Sequence, residues 1–326
     1  AHFFIKGCEW IQSDTPTGTG DAQHYQNIVL SGTDRDGRDV TNEVTYLVLD
    51  IVEELAISDY PITVRLTDET EYEKSGGADG VIAAADAAGV DTLIVSGFDA
   101  ASSSAAARLA SRHKGVYFCA GLQPEEIAPY ENGAEEYECA LGAVQGLFGN
   151  EKCVAAGEIG LDYHFDNNPS KPFQREAFLR QMQIACEADL PIVIHSRDAC
   201  ADTLEILRAN RELLQNGFLM HCYSYSAEAA AEFAALGGYF SFGGVVTFKN
   251  AEKVKRAAAA VPRDRILTET DSPYLAPEPY RGTFPNTPAN VVRVAEALAD
   301  LRGESFENFC VRVRENAARL FKRLKI

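Results

Sequence analysis

Pro191-Ile192-Val193-Ile194-His195-Ser196-Arg197 is a short β-branched run that ends in an imidazole. Bounded by Pro on one side and polar residues on the other, it reads as a buried strand. The same pattern recurs on both sides of it. Upstream lie residues 92–95, 116–120 and 154–157; downstream lie 218–220, 239–242 and 266–267. Ala-rich amphipathic segments such as 81–88, 178–188 and 227–236 separate them. Strands that alternate with helices predict a parallel sheet. Seven of them over about 180 residues suit a TIM-like (β/α)8 barrel better than an open sheet. One strand is then missing, and the candidate just upstream is Ile62-Thr63-Val64-Arg65-Leu66 after Pro61.

Four of these runs lead into a group that can bind metal. Val154-Ala155-Ala156-Gly157 leads into Glu158, residues 192–194 into His195, residues 218–220 into His221, and Ile266-Leu267-Thr268-Glu269-Thr270 into Asp271. In a parallel barrel the C-terminal strand ends share one mouth, where active sites form. A lone His at a strand end is most often structural, but four such groups at four strand ends are not independent accidents. Two imidazoles and two carboxylates match a divalent metal with nitrogen and oxygen ligands, which makes water a nucleophile at neutral pH.

Composition narrows the rest. The chain has 326 residues, 46% hydrophobic and 24% charged, which rules out wholesale disorder. No apolar stretch is long enough for a spanning helix. The formal charge is −18, from 48 acidic and 30 basic residues, so a broad basic nucleic-acid surface is excluded and only a local phosphate pocket is left. The eight cysteines include no Cys-x-x-Cys pair and read as reduced thiols of a cytoplasmic protein. There is no signal pattern. The chain opens at Ala1 on the apolar Phe3-Phe4-Ile5, which reads as a partial or trimmed product. Residues 1–66 differ from the remainder: they are acidic, rich in Thr, Gly and Asp, turn-like at 31–37 and helical in pattern at 44–55. They are short of apolar residues for a core of their own.

Residues 67–326 resemble the TatD family of metal-dependent hydrolases and DNases. The stretches that carry the resemblance are Gly157-Glu158-Ile159-Gly160-Leu161-Asp162-Tyr163-His164, Pro191 to Ala199, His221-Cys222-Tyr223-Ser224, Ser241-Phe242-Gly243-Gly244, Glu269 to Pro277, and Arg281-Gly282. The resemblance implies a role for each candidate. Glu158 is the carboxylate shared by two metals, and His195 and His221 are ligands of the second metal. Asp271 is a ligand of the first and the base that orients water. Arg197 and Arg281 are candidates for holding phosphate oxygens, since guanidinium forks suit phosphate; a solvated surface Arg is the equal alternative. Asp162 and His164 are read as structural rather than pocket-lining.

The family's opening strand ends in His-x-His-Leu, and here Thr63 and Arg65 stand in place of the two histidines. The third-strand His-Pro is Gln123-Pro124, and no His-x-His exists anywhere in the chain. A cationic Arg65 opposes a metal at that position. Residues 3–66 resemble a different family, the glycyl radical enzymes of the pyruvate formate-lyase type. Gly7-Cys8-Glu9-Trp10, Gln26 to Gly32, Asp36 to Glu43, Tyr46-Leu47 and Pro61 to Leu66 carry that likeness. The slice lacks that family's catalytic Cys and glycine loop, and Cys8 reads as a buried thiol.

The expectation is a domain at 1–66 without catalytic residues, fused at Leu66 to a hydrolase barrel at 67–326 whose first strand the leader supplies. The barrel acts on phosphodiesters, at DNA ends or in another small phosphate ester, and an aminoacyl-tRNA ester is a further target. It holds one divalent metal rather than two (zinc, magnesium or manganese), works weakly, touches no membrane and is a monomer. The alternatives are a remnant that binds metal or phosphate without turnover and, more remotely, a glycyl radical enzyme.

Overall fold

The structure, a computed structural model, describes residues 77–325. The expected first strand at 62–66, the helix at 44–55 and the altered positions Thr63 and Arg65 lie outside the described residues. From Val81 onward the chain forms one compact unit.

Its centre is a parallel sheet of seven strands in sequence order: β1 (Leu93–Ser96), β2 (Val116–Ala120), β3 (Cys153–Asp162), β4 (Ile192–Arg197), β5 (Phe218–Met220), β6 (Gly238–Phe242) and β7 (Ile266–Thr268). Every strand expected from residue 92 onward is present. Two run longer than expected, because β3 continues past Glu158 to Asp162 and β4 past His195 to Arg197. Glu158 and His195 therefore sit inside strands rather than at their ends, and only His221 and Asp271 follow a strand's last residue.

The helices are α1 (Gly77–Ala87), α2 (Ala100–Arg112), α3 (Ala134–Gln145), α4 (Lys171–Glu187), α5 (Cys200–Ala209), α6 (Ala227–Ala235), α7 (Glu252–Ala260), α8 (Val291–Arg302) and α9 (Phe306–Leu320). Local chemistry starts and stops them. Asp99 caps α2 in a reciprocal box with Ser102, and Ser170, Ser226 and Ser305 cap α4, α6 and α9. Gly303, in the left-handed region at φ 64°, ends α8.

Strand side chains alternate between two cores, as a period of two requires. Phe118, Ile194, Met220, Phe240 and Ile266 face the helices. Tyr117, Cys119, Ala155, Val193, Leu219, Tyr239 and Leu267, drawn from six strands, pack on one another on the opposite face. Only a sheet that curls on itself lets such residues meet. Leu320 and Phe321 join this inner cluster. Arg323 donates to the carbonyls of Phe148 and Cys153, and the Lys325 N–H to the Tyr117 hydroxyl, so the end of the described chain lies under the N-terminal edge of β2 and β3. The opposite edge is the mouth.

Among the described residues no disulfide forms and the cysteines are free thiols. No described helix is long and apolar enough to cross a membrane.

Candidate metal centre

β3, β4 and the ends of β5 and β7 bring the expected residues to one place. Glu158 Oε1 lies 3.2 Å from His195 Nδ1 and 3.5 Å from His221 Nε2. His221 Nε2 is 3.4 Å from Asp271 Oδ1. Neighbouring donors on one metal with bonds of roughly 2.1 Å stand roughly 3.0–3.4 Å apart, so each of these pairs is spaced much like two adjacent ligands of one ion, although no three of the four have all their ligating atoms within 4.8 Å of one another. The backbone is unusual where it matters. Cys222, directly after His221, has φ 44°, and Asp271 has φ 53°. Asp accepts the left-handed region readily, whereas Cys222 is held there with its N–H donating to Glu269 Oε2 at 3.1 Å.

Each imidazole is backed by its own carboxylate, one fully and one largely buried. His195 Nε2 donates to Asp162 Oδ2 at 2.8 Å, and Asp162 is 0% exposed. Oδ1 of Asp162 accepts from the His164 N–H at 2.8 Å and from Asn168 Nδ2 at 2.9 Å. His221 Nδ1 is 2.7 Å from Glu269 Oε2, which also accepts from the Ser241 hydroxyl. A carboxylate behind a ligating imidazole fixes its tautomer and leaves the other nitrogen's lone pair for a metal. His195 Nδ1 and His221 Nε2, the nitrogens a metal would take, thus turn toward Glu158.

The charges agree with this. Burial pushes the Glu158 carboxyl up, but His221 and His195 outweigh it and hold it below the usual range. Burial likewise disfavours the His195 cation, yet its bonds to Asp162 and Glu158 raise it to about 9. His221 is raised well above an ordinary imidazole because Glu269 and Glu158 overcome its burial. The local field is strongly negative, and a cation is what it favours.

Sequence reasoning missed three participants. It read Asp162 as a structural residue; the aspartate is fully buried but bonded straight to His195. It gave Glu269 no role, although alternation from Leu267 puts residues 269 and 271 on the face that carries the site. Glu125 follows the altered Gln123-Pro124, and the sequence assigns it no role. One ligating atom from each of Glu125, Asp162 and His195 lies within 4.8 Å of the others. Glu125 is raised by burial and by the Asp162 charge.

The two arginines are exposed and rest on rings. The Arg197 guanidinium lies 4.9 Å over Phe165, and that of Arg281 lies 4.1 Å over Phe248. His164 is partly exposed and pairs with Asp198 at 2.8 Å.

The model of the TatD related DNase family matches residues 64–322, and that of the pyruvate formate lyase-like family matches residues 1–74. The uncharacterized metal-dependent hydrolase YabD of Bacillus subtilis is 40% identical over 74% of this chain and 91% of its own length. A Cronobacter sakazakii protein named 3'-5' ssDNA/RNA exonuclease TatD is 32% identical over 74% of this chain and 91% of its own. Among solved structures, the TatD homologue YJJV of Escherichia coli superposes with a TM-score of 0.67 at 29% identity, over 75% of this chain and 91% of that one. The chain belongs to the TatD related DNase family of metal-dependent hydrolases.

Proposed function

We propose that this hydrolase cleaves phosphodiesters, with one divalent metal held by Glu158, His195, His221 and Asp271. The observation that carries the reading is the pair of imidazoles whose near nitrogens converge on Glu158 while Asp162 and Glu269 hold their far nitrogens. A divalent metal bound there lowers the pKa of water and polarises a phosphoryl oxygen. The chain's own residues do the remainder. Asp271, at the mouth, accepts a proton from the attacking water. Glu158 lies between the near nitrogens of both imidazoles, which Asp162 and Glu269 hold from behind. Arg197 and Arg281 take phosphate oxygens, for which each must leave the ring it rests on. The exonuclease name of one relative supports a nucleic-acid substrate.

Metal content of the purified chain, measured beside Glu158→Ala and followed by release of nucleotides from single-stranded DNA, tests the reading. About one equivalent lost in Glu158→Ala, together with turnover, is expected. No metal and no turnover would overturn it. The competing reading is a barrel that binds metal without turnover, which Thr63, Arg65 and Gln123 at positions the family fills with His favour. One equivalent bound without turnover would establish it.

A further inference from the structure

The mouth of the barrel carries an unusual number of exposed rings. Six aromatic side chains count as exposed among the described residues, and five of them lie on loops that leave C-terminal strand ends: Phe98 after β1, Phe165 after β3, and Tyr274, Tyr280 and Phe284 after β7. Large exposed apolar groups on loops at one end of a sheet mark a binding surface rather than chance.

Tyr274 and Phe165 are tied to the chain beside the metal centre. The Tyr274 N–H donates to the Asp271 carbonyl at 2.9 Å. Asn286, itself 3% exposed, donates from Nδ2 to the carbonyls of Thr270 and Tyr274, and its N–H donates to that of Pro273. The loop is thereby cross-tied, with the Tyr274 and Phe284 rings 6.0 Å apart at its outer side and Tyr274 63% exposed. On the loop after β3, Phe165 stands edge-on to His164 at 4.8 Å, and the His164 N–H is bonded to Asp162 behind His195.

We infer that these rings form a stacking rim for the unpaired bases of single-stranded nucleic acid, which feeds a strand's phosphates to the metal centre. The inference rests on the phosphodiester reading above. Three observations favour bases as the occupant. A chain of net charge −18 cannot gain affinity from a broad cationic surface, so another source of binding is needed. Stacking on aromatic side chains supplies it without sequence preference, and a duplex, whose bases are already stacked, does not benefit. Arg197 rests on Phe165 and Arg281 on Phe248, so a base that takes the Phe165 face displaces the Arg197 guanidinium, which then serves a phosphate of the same strand.

The test uses the full chain and fluorescent phosphorothioate strands, which resist cleavage. Anisotropy compares oligothymidylate, an abasic strand with the same phosphates, and the duplex. Phe165→Ala, Tyr274→Ala and Phe284→Ala are measured beside the parent, with melting temperature and metal content as checks on folding. The expected result is about tenfold weaker oligothymidylate binding per ring removed, with abasic binding weak and unmoved. Parent protein that binds the abasic strand as tightly as oligothymidylate, or rim variants that bind oligothymidylate like the parent, would overturn the inference. Hydrolysis of methyl 4-nitrophenyl phosphate, which has no base, is assayed separately on the parent. Failure there sinks the phosphodiester reading, while the anisotropy series judges the rim.

Discussion

His195 and His221 carry the same chemistry on different supports. His195 belongs to a strand, pairs in register with Gly160 of β3, and leans on an aspartate whose oxygens all have partners. Gln174 locks that aspartate's backbone in turn, accepting from its N–H and donating to its carbonyl. His221 lies just past its strand, is followed by the left-handed Cys222, and leans on a longer glutamate. Oε2 of Glu269 serves three donors, whereas Oε1 is buried with no hydrogen-bond partner. One imidazole is set by the sheet; the other is set by a single carboxylate oxygen. The β3–β4 side is the rigid half of the site, and the β5–β7 side is the adjustable half.

Four substitutions can break or sharpen that contrast. The largest effect is expected from Gly160→Ala. A Cβ there would stand 2.0 Å from the His195 carbonyl oxygen, and the backbone φ of +142° suits glycine alone. The β3–β4 ladder must part, with a loss of about 3 kcal/mol in urea unfolding. An unchanged unfolding midpoint would show that the rigid half is not rigid. Asp162→Ala comes next. It leaves His195 Nε2, the His164 N–H and Asn168 without their buried acceptor, so about 2 kcal/mol of stability should go. Metal affinity, followed by calorimetric titration, should weaken by about 10- to 100-fold.

Glu269→Gln should be milder, at about tenfold in metal affinity, because an amide oxygen can still accept from His221 once the side chain turns. A penalty equal to that of Asp162→Ala would erase the distinction between the halves. Ser241→Ala removes one of three donors to Glu269 Oε2 and should cost about 1 kcal/mol or less, with metal affinity nearly unchanged. A tenfold drop in metal affinity would mean that the hydroxyl, not the carboxylate, orients the imidazole.

Most of the scaffold was legible because buried parallel strands are continuous apolar runs, which single residues mark well. The lengths of β3 and β4 were not legible. Glu158, Asp162, His195 and Arg197 are polar, and polarity in a sequence looks like the end of a strand, although here the ladder continues through it. The four metal-binding candidates were legible because each follows an apolar run. Their supports were harder to see. Asp162 is a buried charge and Glu269 a largely buried one, and nothing in a linear pattern separates such a carboxylate from a solvated one until its partner is located. Arg197 and Arg281 were legible as cations near the mouth but not as residues resting on rings, since Phe165 and Phe248 lie far from them in sequence.

Leu320 and Phe321 close the inner face of the sheet from beneath, more than two hundred residues after the first strands they touch. During synthesis the seven strands therefore emerge with that face still uncovered, and Tyr117, Leu219 and Tyr239 wait in water for a stopper made after them. A ribosome that pauses just before residue 320 holds a sheet with its strands in order but its interior wet, a species that chaperones would recognise. The finished interior is therefore a matter of timing as well as of sequence.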